Sequence, residues 1–387
     1  MATATGFAAC TKMGGVNSWI EHARYLADEI FAPQADAVDR TGEIPGTHFD
    51  LLAEYGFYGA TMDPASRSDS MRGGGRVTRR ADMDIATFTQ AGEILVAGCL
   101  TTTFVWAQHL GVARRVATSP NLELRERLTE DLRHGRVRAG VSYAGANDQP
   151  GLIARRVDGG YVLDGTAPFV TGWGLVDILG VMARDADDEG SLISVLVPAE
   201  PSPAVHATPL PLIAADASKT VTLTFDGVQV PDSAVDNRIS LRSFNASFIL
   251  AAWRNGALAL GIVRRCLGEL AQLGIDTTAL AAEAARIRTE LDDALTGQSD
   301  VYLARARASE LAVRAATALV TAVGSAAVTR GNIAERSLRE ATFTLVFGSR
   351  PAIRTALLDH LTQAADPVYS KSANPRIPQW DSRQLKA

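Results

Sequence analysis

The feature that most constrains this chain is a change of hydrophobic period. Apolar residues recur at helical spacing from about residue 16 to 137, alternate with period two from 138 to 235, and return to helical spacing from 240 to about 362. The period-2 runs fall at 153–156, 161–164, 178–183, 192–197 and 221–225, with turn residues such as Asp158-Gly159-Gly160 between them. Short, closely spaced strands of this kind read as a compact β-barrel or sandwich. The fold class that follows is multidomain α+β. It comprises a flexible tail (1–15), an N-terminal helical domain (16–137), a middle β-barrel or sandwich domain (138–235), a C-terminal four-helix bundle (240–362) and an extended arm (363–387). A chain of 387 residues suits two or three packed subdomains better than one core.

Within the helical parts, 16–38 is amphipathic with a kink expected at Pro33, and 49–55 is a short helix stopped by Gly56. Residues 82–117 form two apolar helical segments carrying Trp106 and His109, followed by an amphipathic helix over 122–132. His109 reads as a core histidine bonded to backbone. The basic, glycine-rich stretch 66–80 reads as a solvated loop. Four helices are expected in the bundle, at 244–273, 278–295, 300–329 and 334–361.

One stretch stands out, YVLDGTAPFVTGWGLVD at 161–177. It begins as a strand, which Gly165 is expected to break and Pro168 to turn. A second apolar run, Phe169-Val170-Thr171, leads to Gly172 and Gly174 around Trp173. A hairpin with an aromatic core residue fits this pattern. So does a place where backbone approaches a flat ligand.

Composition excludes several classes. Hydrophobic residues are 47% and charged residues 21%, as in a globular protein and not a disordered one. The net charge of −5 gives no basic face for nucleic acid. Cys10, Cys99 and Cys266 are too far apart for a metal motif, so no metal site is expected, and their odd number argues against a disulfide framework. No secretory signal pattern opens the chain, and no charge-free run of about 18 apolar residues points to a membrane span. The expected location is cytoplasmic.

Several segments, in order, resemble the acyl-CoA dehydrogenase family. The phrase LLAEYGFYGATMDP at 51–64 is similar to that family's exit from its second helix, and ELRERLTEDLRHGRVRAGVSY at 123–143 to the passage from helical to sheet domain. Residues 165–172 resemble the "GxKxWITN/SG" strand signature, with Ala167 for the lysine and Phe169 for the tryptophan; SKTVTLTFDGVQVP at 218–231 resembles the end of the β-domain. The resemblance covers about 16–362 and implies the family's fold and a flavin cofactor, FAD, with FMN or reduced flavin supplied by a reductase as the alternative. It implies that Phe169 and Val170 border the isoalloxazine, that the Thr171 hydroxyl meets its N5 edge, that Ser142 contacts the pyrimidine, and that Gly324 keeps one of the family's paired glycines. It also implies a homodimer or homotetramer.

The departures matter as much. The family's catalytic glutamate lies in an "IYEGTSEIQR" motif, and the matching segment here, 345–354 after GNIAERSLREATF, puts Phe347 at that position. Phenylalanine accepts no proton. Some relatives place the glutamate on the first bundle helix, where Ala251 or Ala252 stands here; no carboxylate occurs from 240 to 268. Arg254 is the one charge in the apolar stretch from 244 to 263 and needs a ligand carbonyl, a phosphate or a carboxylate from another helix as partner. The catalytic base is therefore unassigned, with Glu93, Glu335 and Glu340 as other carboxylates that could enter; Arg254 and Phe347 are the candidate substrate-binding residues. The segment 270–283 lacks the arginine that in the family reaches the FAD pyrophosphate across a subunit interface.

Three functions fit these residues. One is a flavin-dependent oxidoreductase acting on an acyl thioester, such as a CoA thioester, or a related small molecule. Another is a two-component flavin-dependent monooxygenase on the same fold. The last is a non-catalytic subunit in a hetero-oligomer with an active homologue.

Overall fold

The computed structural model describes residues 16–62, 85–146 and 151–362. The expectations for the tail 1–15, the basic loop 66–80 and the arm 363–387 lie outside the described residues. In the N-terminal domain, α1 (Val16–Tyr25) continues through a π-helical turn, Leu26–Phe31, into α2 (Ala32–Thr41). Pro33 does not interrupt this rod. The wide turn precedes it and shifts the hydrogen-bond register where the proline has no N–H to give. Then follow α3 (Gly46–Glu54), α4 (Ile85–Gly98), α5 (Leu100–Ala117) and α6 (Leu122–Arg133). They close over a core in which Leu26, Phe31, Leu52, Phe57, Leu95 and Trp106 are buried.

The middle domain is an eight-stranded sheet of β1 (Ala139–Ser142), β2 (Leu152–Val157), β3 (Gly160–Val170), β4 (Ile178–Asp185), β5 (Ser191–Pro198), β6 (Val205–Pro209), β7 (Val221–Pro231) and β8 (Val235–Ser240). Its order is β6-β7-β3-β2-β4-β5-β8, with β1 also on β4. Strand β4 is the branch point: residues 178–181 pair in parallel with β1, and Arg184 and Asp185 with β2. The β-domain therefore runs to Ser240, one strand beyond the expected boundary. Strand β8, VDNRIS, lies on the sheet edge and is too polar to alternate.

Strand β3 corrects the expected hairpin. It continues through both Gly165 and Pro168, and its pairing with β7 slips between Leu163 and Gly165 and again between Ala167 and Val170. Gly165 sits at φ +123°, and a Cβ there would lie 1.9 Å from the Gly151 carbonyl oxygen. Pro168 falls within the second slip and beyond the reach of β2, whose pairing stops at Gly165, so its missing donor is not required.

The bundle consists of α7 (Leu241–Gln272), α8 (Thr278–Ala294), α9 (Val301–Val323) and α10 (Ile333–Val346). The last expected helix is in fact two. Phe347 is extended, Gly348 is left-handed at φ +54°, and Pro351 opens α11 (Pro351–Leu361). A left-handed glycine after a helix and a proline at the next helix start are the usual stop and start signals. Helix α11 packs its Ile353 and Leu357 with Ala306 of α9. Contrary to the expectation from charge-free runs, two helices among the described residues are long and apolar enough by composition to cross a membrane, Leu241–Gln272 and Val301–Val328. Here both are bundle helices. Trp253 and Ile262 of α7 share one core with Leu311 and Leu319 of α9.

Candidate active-site cleft

A cavity of about 870 Å³ opens where the three domains meet. That is at the large end for small-molecule sites. Helix α5 contributes Phe104, Gln108 and Gly111; the β1 end gives Val141 and Tyr143; β3 ends into it with Phe169 and Thr171. The loop after β6 adds Leu212, Ile213 and Ala214, while α7 and the turn after α10 supply the opposite wall.

Two residues of the 161–177 stretch reach this cavity in unlike ways. Phe169 is 67% exposed, although it is a large ring. Its φ of +57° is left-handed, which for a phenylalanine costs on the order of 1–2 kcal/mol. The strand slip after Ala167 imposes this conformation and turns the ring out at the cavity mouth. Thr171 is nearly buried, and its hydroxyl lies 3.0 Å from that of Thr220, which in turn lies 2.8 Å from that of Ser218. The Gly172 N–H donates to the Ser218 carbonyl at 2.9 Å, tying the end of β3 to this loop. Val170, between them, points the other way into the sheet core, as strand alternation requires.

The bundle side is aromatic and cationic. Phe347 stacks on Phe343 with centroids 4.9 Å apart and planes at 4°, and meets Phe104 edge-on at 5.6 Å. Behind it the Arg305 guanidinium lies 5.2 Å from the ring centroid. Arg305 is 1% exposed and has no carboxylate partner among the described residues; it donates to Ser309 and, at 2.7 Å, to the Thr344 carbonyl. Burial lowers its pKa to about 10, still cationic at neutral pH. Arg254, Arg350 and Arg354 line the cavity, and among the described residues no aspartate or glutamate does. Arg350 is occupied by Asn245 at 3.0 Å and by the Phe248 ring. The Arg254 Nε is buried without a partner among the described residues; burial first, and then the charge of Arg114, lower its pKa to about 10. The carboxylates that could have entered are engaged elsewhere: Glu93 with Arg288, Glu335 with Arg339 at 2.7 Å, and Glu340 with Arg265.

No family model matches the chain. Among curated proteins it is 28% identical over 290 residues to benzylmalonyl-CoA dehydrogenase of Aromatoleum aromaticum, covering 70% of this chain and 72% of the relative. Among solved structures it is similar to butyryl-CoA dehydrogenase from Megasphaera elsdenii (17% identity, TM-score 0.70, 92% of this chain and 100% of that one). A glutaryl-CoA dehydrogenase bound to glutaryl-CoA gives 16% identity and a TM-score of 0.72 over 92% of this chain and 97% of that one. The FAD complex of PigA gives 17% and 0.72 over 92% and 99%. The chain has the fold of the acyl-CoA dehydrogenases.

The acyl-CoA dehydrogenase fold thus brings Phe169, Thr171, Arg254 and Phe347 to one cavity, and leaves three other expected site residues off it. Ser142 is 1% exposed, its hydroxyl has no partner among the described residues, and it does not line the cavity, although its neighbours Val141 and Tyr143 do. Val170 belongs to the sheet core. Gly324 caps α9 in open space at φ +75°. His109 is a core residue: its Nδ1 accepts the Ala139 N–H at 3.1 Å, and burial lowers its pKa to about 3. Residues missed in the sequence include Thr220, whose link to Thr171 crosses 49 positions, and Asn255, beside the Phe347–Gly348 turn. Also missed was the anchoring of Tyr143 by Arg115, which pairs with the buried Asp236 at 2.9 Å. Only the family signatures around 165–172 and 345–354 and the lone Arg254 carried a signal.

Proposed function

We propose that this protein is an FAD-dependent oxidoreductase acting on an acyl thioester. The observation that carries the reading is the pairing of Phe169, held outward in a strained backbone, with the Thr171 hydroxyl on the rim of the interdomain cavity. A ring face and a hydroxyl in register suit the isoalloxazine, whose N5 edge takes a hydrogen bond. FAD, when bound, would supply the two-electron acceptor for the substrate. Thr171, itself bonded to Thr220, orients the flavin edge. Phe104, Phe343 and Phe347 exclude water from the acyl chain. Arg254 attracts an anionic group of the substrate. Phe347 occupies the position of the family's glutamate, in keeping with a cavity wall that holds no acid among the described residues.

The experiment is purification followed by anaerobic mixing with CoA thioesters. Tightly held FAD bleached by a thioester supports the reading. Protein that holds no flavin and consumes oxygen only with an added reductase supports the monooxygenase reading, which the acid-free cavity also favours. Protein that binds no flavin and co-purifies with a homologue overturns both.

A further inference from the structure

Away from the cavity, where α7 and α10 meet the α4–α5 junction at Cys99, lies a charged cluster that the proposed reaction does not use. Arg265 of α7 and Arg336 and Glu340 of α10 keep only 4%, 6% and 3% of their side chains exposed. Arg336 and Glu340 are one turn apart on the same face of α10. Arg265 donates to Glu340 through Nη2, while its Nε and Nη1 have no partner among the described residues. Arg336 lies 3.9 Å from the same carboxylate, beyond hydrogen-bond reach, and its Nε also has no partner among the described residues.

The charges in this cluster do not balance. Two guanidiniums, cationic at any pH the fold survives, share one carboxylate. The nearby thiols do not make up the difference. Cys99 and Cys266 are buried, and burial pushes both thiols up, that of Cys266 to about 11, so each is neutral at pH 7. Glu269 is one turn on from Arg265 but only half-buried, and it makes no ion pair with it. A buried charge without a counter-charge is strongly disfavoured. Water can satisfy the free N–H groups, but it leaves the surplus positive charge standing.

We infer that this cluster binds one small monovalent anion of the halide class, held by the free N–H groups of Arg265 and Arg336. One negative charge closes the balance, giving two cations, one carboxylate and one anion. The small size follows from the packing. Both guanidiniums lie within 4 Å of a single buried carboxylate, which suits a monatomic ion and leaves little room for a phosphate or an organic acid. The ion has a mechanical consequence. Helix α7 also lines the cavity through Arg254 and Leu258, and α10 through Thr342 and Phe343, so the ion ties together two helices that form its wall. The site does not depend on the oxidoreductase reading, because none of its residues lines the cavity.

The test is equilibrium unfolding of the full chain in urea, with FAD at a constant excess and sodium chloride exchanged for sodium gluconate at fixed ionic strength. Unfolding opens the site to solvent, so its depth does not block exchange. One bound ion predicts that the folded-to-unfolded ratio rises about tenfold for each tenfold rise in chloride above its dissociation constant, and that bromide acts in the same way. Arg336→Met removes the surplus charge and leaves Arg265 with Glu340. It should fold, and chloride should change its ratio by less than about twofold over the same range. A second measurement needs no variant. Crystals of the wild type grown in sodium bromide should show an anomalous peak within hydrogen-bond reach of Arg265 and Arg336. A wild type that ignores chloride, a chloride response that survives in Arg336→Met, or a carboxylate of the chain or a water in the ion's place would overturn the proposal.

Discussion

Replacing Phe347 with glutamate is the obvious way to install a base, and the structure says why it should fall short. The Arg305 guanidinium lies 5.2 Å from the Phe347 ring centroid, with no carboxylate of its own among the described residues. A carboxylate introduced at position 347 would meet that charge. At this separation and an effective dielectric of about 20, the attraction is about 3 kcal/mol, or roughly two pKa units downward. The new carboxylate would be ionised at neutral pH, but paired and too weak to take a Cα proton. A general base works best with a pKa near the working pH and is then worth roughly 10²–10⁴-fold. Phe347→Glu alone should therefore recover less than about tenfold with a saturated acyl-CoA, short of that full contribution. The double variant Phe347→Glu/Arg305→Met should do better, because the carboxylate loses its partner and burial then raises its pKa. Anaerobic stopped-flow reduction of the flavin across a range of about pH 5 to 9 measures both variants. A single variant that reduces as fast as the double, with an apparent pKa above about 6, would refute the placement of Arg305 behind the ring as the controlling charge.

Other outcomes follow from the same packing. Glu340 is 3% exposed between Arg265 and Arg336, so Glu340→Leu strands two buried cations and should lose about 3–5 kcal/mol by urea unfolding, more than Arg265→Leu, which leaves Arg336 at 3.9 Å. Gly165→Ala places a methyl 1.9 Å from the Gly151 oxygen at a left-handed φ and should lower stability by about 3 kcal/mol or more, or block folding of the β-domain; a wild-type melting temperature would contradict the bulge. His48 is buried against Thr102 at 2.9 Å, and burial lowers its pKa to about 4. Its stabilising contribution is full above the unfolded value near 6.5 and is lost as pH falls toward about 4, so His48→Gln should flatten the unfolding midpoint across that window. Thr171→Val should shift the bound flavin's absorption and potential while leaving the fold intact, and an unchanged spectrum would count against the N5 contact.

The alternation of helical and period-2 blocks was enough to reach the three-part architecture, because hydrophobic period reports directly on which face is buried. Local punctuation misled where tertiary pairing overrode it. Gly165 and Pro168 look like strand breakers in isolation, yet β7 accommodates both by slipping register. Residues 347–350 carry a glycine before Pro351, a stop and a start, but helical propensity on either side hid them. Strands β1, β6 and β8 are short or polar and take their order from neighbours. In the site, Phe169, Thr171, Arg254 and Phe347 were legible through signature and contrast. The Thr171–Thr220 contact, the lack of a partner for the Arg254 Nε among the described residues and the Arg305–Phe347 stack join residues tens of positions apart, or depend on what is absent nearby. No spacing rule reports either.

The most direct test of the central claim is an experimental structure of the FAD complex with an acyl-CoA bound. The expected result puts the flavin N5 edge within hydrogen-bond reach of Thr171, the isoalloxazine against Phe169, and no protein carboxylate within about 4 Å of Cα. A flavin bound away from Thr171, or an aspartate or glutamate from any segment or subunit seated at Cα, would contradict it.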